Sequence, residues 1–289
     1  MITIFTPTYN RSHTLARLYQ SLMRQTSRDF EWLIVDDGST DGTSQFITSV
    51  SNVATFPVRY LWQPNKGKYI AYNNGLRNAQ GEFFMCVDSD DWLPDDSIDS
   101  ILSLCQRLKH ENKVAGVVAL KSNPDNKIIG KPFKEGYTRS GLYGLELEGQ
   151  RGERSIVFKT SIARDFLFPE DSGEKFMPEC VIYDRYEGKY DFIISNTVLT
   201  ICEYQQKGLS SAPRRLMVMN PAGYKLFYSQ RIDMKSSIIV RFINVIKYNA
   251  FRIIYGGSLY DYAGDYPLLV AIFRPLGRIA ACYYRRKAE

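Results

Sequence analysis

Residues Glu82–Trp92 read Glu-Phe-Phe-Met-Cys-Val-Asp-Ser-Asp-Asp-Trp, and the reading of this stretch settles what surrounds it. Glu82–Val87 is an apolar, aromatic run of strand length. It ends in three carboxylates within four residues, Asp88, Asp90 and Asp91. Such a cluster repels itself, and leaving it unpaired costs stability. A hard divalent cation held by oxygen ligands, Mn2+ or Mg2+, removes that repulsion and bridges to phosphate oxygens. The competing reading is a helix start, in which Asp91, Asp95 and Asp96 favour the helix dipole.

Working outward, the first 120 residues alternate between strand and helix patterns. Strands are expected at Ile2–Thr6, Glu31–Val35, Val58–Leu61, Glu82–Val87 and Ala115–Ala119. Helices are expected over Ser12–Gln25 (with Ser12 as N-cap), Gly42–Val50, Lys68–Asn78 and Asp95–Lys109. Regular alternation of this kind predicts an α/β fold, a parallel sheet covered by helices, with ligands bound outside the carboxyl ends of its strands. Residues 121–152 read as loops and a hairpin. Then come strand Ser155–Phe158, helices near Ser161–Phe166 and Pro178–Tyr186, and strand Val198–Tyr204. A boundary is expected near Gly208–Pro213, followed by amphipathic helices.

Three polar clusters fall at strand ends: Thr6-Pro7-Thr8-Tyr9-Asn10-Arg11, Asp36-Asp37-Gly38-Ser39-Thr40-Asp41-Gly42 and Asp88-Ser89-Asp90-Asp91. On a parallel sheet they converge on one edge. Asp36 and Asp37 read either as an Asx turn before a capped helix or as acceptors for a nucleobase imide or a ribose.

Taken together, in this order and spacing, these runs closely resemble the family 2 glycosyltransferases. Asn65-Lys66-Gly67-Lys68 through Ala71 and Asn73, and Ala79-Gln80-Gly81-Glu82-Phe83, fit the same pattern. The resemblance is specific over residues 1–120 and looser from about 150 to 210. It implies a GT-A type, Rossmann-like, mostly parallel sheet, an inverting transfer and a nucleotide-diphosphate sugar donor, usually UDP-linked. Carried over residue by residue, it places Thr6, Pro7, Thr8 and Tyr9 around the nucleobase and ribose, with Arg11, Ser89 and Asn73 on the donor. It puts Asp36 or Asp37 on the base, and Asp88 and Asp90 on the metal with Asp91 next in line. Many relatives have Arg where this chain has Tyr72, so a cation for the donor phosphates is expected from Lys66 or Lys68, with Lys68 favoured. Trp92 is a candidate stacking surface for the acceptor sugar.

An inverting transfer needs a general base. The chain has only two histidines, His13 and His110, neither well suited. In the family the base is a carboxylate downstream of the metal motif, at a helix start. Pro178 in a first helical turn puts Glu179 there. Glu179 is therefore the favoured base, with Glu174 second and Asp184 third. The alternative is that these acids only complement a helix dipole.

The net charge of +6 is unevenly spread. Residues 210–289 carry 13 Lys/Arg against 4 Asp/Glu, whereas the first 209 residues are net −3. A basic tail on a mildly acidic body suits an anionic partner. Ile238–Ile254, with Arg241, Asn244, Lys247 and Arg252 among aliphatic and aromatic residues, reads as an amphipathic helix with a cationic face. Pro267–Tyr284 has few charges and is followed by Arg285-Arg286-Lys287. This composition suits an anionic membrane surface carrying a lipid-linked acceptor, or equally packing on the catalytic domain or a second subunit. Five widely spaced cysteines without a CxxC pair, and no leader-like or spanning run, predict a cytoplasmic protein, peripheral on the inner face of the membrane if attached. Nucleic acid is not an expected partner, because the acidic clusters repel phosphate unless a metal is bound. The expected organisation is a donor-binding half over 1–120, an acceptor and base half over 121–208, and a helical extension over 209–289. Rival readings are a sugar nucleotidyltransferase, which is expected to carry a Gly-rich loop after its first strand, or a non-catalytic nucleotide- or glycan-binding module.

Overall fold

Ile2–Thr8 (β1) and Phe30–Asp36 (β2) are buried at every position, the mark of parallel strands covered on both faces. In the computed structural model, which describes residues 1–108, 111–150, 152–203, 212–256 and 261–288, they lie side by side in one eight-stranded sheet. The chain divides into two units, Met1–Leu167 with Tyr186–Tyr204, and Phe168–Arg185 with Gln205–Glu289.

The first unit holds the sheet. Its other strands are Val58–Trp62 (β3), Phe83–Cys86 (β4), Val114–Ser122 (β5), Arg139–Ser140 (β6), Arg154–Lys159 (β7) and Asp191–Ile201 (β8), in spatial order β3-β2-β1-β4-β7-β5-β8-β6. β3, β2, β1 and β4 run parallel, as do β5 and β8, while β7 is antiparallel to both β4 and β5. This is the mostly parallel α/β architecture expected. The helices are Ser12–Met23 (α1), Thr43–Ser51 (α2), Lys68–Asn78 (α3), Ser97–Gln106 (α4), Leu142–Leu147 (α5) and Thr160–Ala163 (α6). On α1, Leu15, Leu18 and Leu22 recur at helical spacing and are fully buried against Ile2, Ile4 and Trp32. Tyr72 of α3 meets Phe5 and Phe84 edge-on, with centroids 6.0 and 5.4 Å apart. Consecutive strand residues point to opposite faces, so Phe5 and Ile4 commit α3 and α1 to opposite sides of the sheet.

Some local expectations change. Residues 121–152, expected as loops and a hairpin, also hold the short strand β6 and the helix α5. Ser12 is not the N-cap of α1: Arg11 occupies that position, and the Ser12 hydroxyl donates to Asp41 Oδ2 at 3.0 Å. β8 begins at Asp191, well before the expected Val198, and shifts register against β5 in passing its polar centre, Ser195-Asn196. His110, Tyr204 and the Gly208–Ser211 part of the expected boundary lie outside the described residues.

The second unit comprises Cys180–Tyr183 (α7), Pro213–Met219 (α8), Pro221–Asp233 (α9), Ile238–Tyr255 (α10), Pro267–Ile272 (α11) and Arg274–Arg286 (α12). Its core is Tyr228, Ile232, Val245, Tyr248, Phe251 and Val270. The cationic face expected on α10 is taken up inside this unit. Arg241 stacks over Tyr266 at 4.2 Å and donates to Ile232 O, Lys247 lies 5.1 Å over Tyr228, and Arg252 pairs with Asp261 at 3.3 Å. Asn244 is buried, while Ile238, Ile239 and Ile243 are exposed. The helix buries Val245, Tyr248 and Phe251, and its partly exposed cations beside that face find aromatic rings, a carbonyl and a carboxylate of their own unit as partners.

Candidate active site

The carboxyl ends of β1, β2 and β4 lie side by side through pairing in register: Thr8 opposite Asp36, and Phe5 opposite Cys86. Within β1, Thr6 is fully buried and its hydroxyl accepts the Trp32 indole N–H at 3.0 Å, so it serves the sheet interior. Pro7 is likewise buried. Thr8 is the last strand residue. Its Oγ1 is buried and has no hydrogen-bond partner among the described residues, a polar atom that calls for a ligand or water. Tyr9 beyond it is 48% exposed. Asn10 adopts φ 53°, and its amide oxygen accepts Thr40 N–H while its own N–H donates to Ser39 Oγ, both at 2.8 Å. The β1 loop is thereby fastened to the β2 loop.

Asp36 and Asp37 are both buried and both satisfied by neutral donors. Asp36 accepts Ser39 N–H at 2.8 Å and the Tyr60 hydroxyl at 2.7 Å. Burial and this hydrogen bond push the Tyr60 pKa up to about 12. Asp37 accepts the Gln63 amide at 2.7 Å and the N–H groups of Lys66 and Gly67 at 2.9 and 2.8 Å. The two turns meet closely. A Cβ on Gly38, at φ +84°, would lie 2.8 Å from Asn65 N, so a side chain there is excluded on both counts. The effect is to fix the start of α3, and with it Lys68.

Lys68 opens α3, and its ammonium reaches both Asp88 oxygens, 2.7 Å from Oδ1 and 3.0 Å from Oδ2. Tyr72 lies one turn further along the same helix and is used in packing, while Lys68 places its ammonium at the head of α3. Asn73 is fully buried. Partial burial raises the Asp88 carboxyl, but Lys68, Lys121 and Arg11 outweigh it and hold the group below the ordinary carboxylate range. Asp90 is half-buried, and its carboxylate has no partner among the described residues. Ser89 between them is buried.

Asp91, expected as a further metal ligand, is turned inward instead. It is 6% exposed, pairs with Lys121 Nζ at 3.1 Å and accepts the Cys202 thiol at 2.9 Å. Burial works against the charge of Lys121, but Asp91 and Asp88 overcome it and hold the lysine protonated. Lys121 is absent from the expected site because β5 was expected to end at Ala119. The strand runs on to Ser122 and brings the lysine to the acidic loop. Arg17 was missed as well. Its guanidinium lies 3.9 Å from the Trp92 ring centroid and donates to Asp90 O at 2.8 Å, so one face of Trp92 is covered. Neither residue stands in a motif. A lysine directly after an apolar strand is the one signal that pointed to Lys121.

The donor set fits a divalent cation in one particular way. Among the described residues no group of three or more His, Cys, Asp or Glu is disposed to hold a metal. Asp88 and Asp90 offer hard oxygen donors, and a cation of the Mg2+ or Mn2+ type commonly takes one or two carboxylates and completes its shell with substrate phosphates and water. The pair suits a metal that arrives with a phosphate ligand.

The three acids nominated as base lie in the second unit. Both Glu174 oxygens accept N–H groups in the first turn of α9, Ala222 at 2.7 Å and Gly223 at 3.0 Å, directly after Pro221, which has no N–H to offer. Asp184 is buried in a two-pronged pair with Arg231, at 2.6 and 3.1 Å. Glu179 is exposed at the head of α7, with the Tyr183 hydroxyl 3.5 Å from its Oε2.

Comparison with known proteins bears on the fold and the family. The profile of glycosyl transferase family 2 matches residues 3–163. A chondroitin synthase of Escherichia coli is 33% identical over 191 residues, covering 64% of this chain and 26% of that protein. Glycosyltransferase GlyA of Streptococcus pneumoniae is 34% identical over 100 residues, 35% of this chain and 14% of that one. The chain thus matches well under half the length of these curated relatives. Among solved structures, TarS 1-349 of S. aureus in complex with UDP-GlcNAc superimposes with a TM-score of 0.61 at 17% identity, over 100% of this chain and 81% of that one. The mannosyltransferase PcManGT of Pyrobaculum calidifontis, in complex with GDP-Man and Mn2+, gives 0.58 at 18% identity, over 99% and 85%. These two likenesses show a shared fold. The profile match covers more than half of the chain, which therefore belongs to glycosyl transferase family 2.

Proposed function

We propose that the protein transfers a sugar, with inversion, from a nucleotide-diphosphate sugar to a hydroxyl of a glycan or lipid-linked acceptor. The donor is a UDP-sugar, and the setting is the assembly of a bacterial surface polysaccharide. The observation that carries this reading is the pair Asp88 and Asp90 beside Lys68 at the strand ends of a family 2 fold. Support for the nucleotide comes from the unpartnered Thr8 hydroxyl beside Asp36, and from similar folds whose structures hold UDP-GlcNAc or GDP-Man.

In this reading Thr8, Tyr9 and Asp36 receive the nucleoside, and Lys68 and Arg11 bind the diphosphate. Asp88 and Asp90 would hold Mn2+ or Mg2+, which when bound offsets the negative charge on the departing nucleoside diphosphate. Lys68 is then shared between Asp88 and the phosphates. Glu179 accepts the acceptor hydroxyl proton as that oxygen bonds to the anomeric carbon and the bond to the diphosphate breaks. Glu174 and Asp184 are left as structural acids by their backbone and arginine partners. The protein works at the inner face of the membrane, held there by its basic second unit.

Screening nucleotide sugars for metal-dependent release of the nucleoside diphosphate, with and without EDTA, tests the reaction. Release from one donor, stopped by chelation, is expected; metal-independent or absent release across the screen contradicts it. Glu179→Gln is expected to lower turnover about a hundredfold or more with an unchanged melting temperature. Near-normal turnover removes Glu179 from the role.

A further inference from the structure

α11 and α12 follow one another with a single residue, Phe273, between them. The ladder passes through Phe273 between them: its N–H donates to Leu269 O at 3.2 Å, and Gly277 N–H donates to Phe273 O at 3.1 Å. Phe273 itself departs from helical geometry, with ψ 7°, and Pro275 has no N–H to give, so the face is followed by the exposure of its residues on each helix. Leu268, Ile272, Leu276, Ile279 and Tyr283 then follow at steps of four, four, three and four residues, which align along one stripe. They are 78, 70, 44, 67 and 49% exposed.

The other side of the same helices is packed. Gly277 and Ala281 are buried, and a Cβ on Gly277 would meet Asn249 of α10 at 2.3 Å. Phe242 stacks on Phe273 with centroids 5.0 Å apart, which brings the exposed isoleucines at the start of α10 alongside the junction. The apolar stripe is therefore not a misplaced core face, because the core face is already occupied.

Charge selects the partner. Arg274, Arg278, Arg285, Arg286 and Lys287 are all exposed, and residues 266–288 contain no Asp or Glu. Five cations without an acid attract an anionic surface. A row of branched aliphatics adds nothing on a nucleic acid but inserts at the headgroup boundary of a bilayer. Among the described residues no helix is long and apolar enough to cross a membrane.

Resting on the peripheral attachment proposed above, we infer that the α11–α12 edge is the membrane-seating surface, lying in the plane of an anionic leaflet with its five-residue stripe inserted. α10, whose cations are engaged within the unit, supports this edge from behind.

The test is co-sedimentation of the full chain with phosphatidylcholine vesicles with and without phosphatidylglycerol. It compares wild type with Ile272→Ser/Ile279→Ser and with Arg278→Glu/Arg285→Glu, all at exposed positions. Wild type is expected to partition onto the anionic vesicles, and each double variant about tenfold less. Metal-dependent donor turnover in solution is expected to be unchanged in both variants, which separates this inference from the reaction itself. Wild type failing to partition overturns both attachment and edge. Equal partitioning of wild type and the serine variant overturns the edge alone. Gel filtration showing a dimer that the serine variant dissolves, or duplex DNA bound as tightly as vesicles, also overturns it.

Discussion

Two acidic runs end the strands on either side of β1, and the protein uses them in opposite ways. Asp36 and Asp37 are answered by neutral donors: a hydroxyl, an amide and three backbone N–H groups. Asp88 and Asp91 are answered by lysines, and Asp90 by nothing among the described residues. Backbone donors cannot leave, so the first run locks the loops after β1, β2 and β3 together. A lysine can exchange one anion for another, so in the proposed function the second run is the one that takes an incoming diphosphate and its cation. The first run is fastened into the scaffold, and the second keeps partners that can be exchanged.

Within the second run the division is sharper still, and it yields the largest expected effect. Asp91→Ala leaves Lys121 buried without its partner, and unfolding by denaturant is expected to show a loss of roughly 3–5 kcal/mol. A loss under about 1 kcal/mol would place Asp91 with the ligand-binding acids instead. In the first run, Asp37→Ala strands the N–H groups of Lys66 and Gly67 and is expected to cost roughly 2–4 kcal/mol. Its melting temperature should fall before its donor affinity does; the reverse order breaks the contrast between the runs. The smallest effect is expected from Tyr60→Phe, about 1 kcal/mol, because Ser39 N–H still satisfies Asp36.

Much of this was legible in the sequence. The five strands of the first 120 residues lie where apolar runs and turn signals put them, apart from the extension of β5 to Ser122, and the strands buried on both faces, β1 and β2, write their character most plainly. The acidic clusters at strand ends were equally visible. What the sequence concealed is which partner each acid meets. Asp91 and Asp88 differ by three positions, yet one faces Lys121 on β5 and the other Lys68 on α3, contacts made across the sheet edge. The partners of the α10 cations were hidden for the same reason: periodicity gives two faces and does not say that aromatic rings of the same unit receive the cations beside them. Arg17 over Trp92 left no trace, because an arginine in mid-helix is ordinarily a solvated residue.

In the proposed function Asp90, together with Asp88, binds the donor through a cation, in contrast to Asp36 and Asp37. Calorimetric titration of UDP into wild type and Asp90→Asn, each with Mn2+ and with EDTA, tests it most directly. Asp90 has no described partner to lose, so the variant should melt like wild type. Wild type is expected to bind UDP at least about tenfold more tightly with Mn2+ than with EDTA, and Asp90→Asn to show almost no difference. An equal gain from Mn2+ in both proteins would contradict the account.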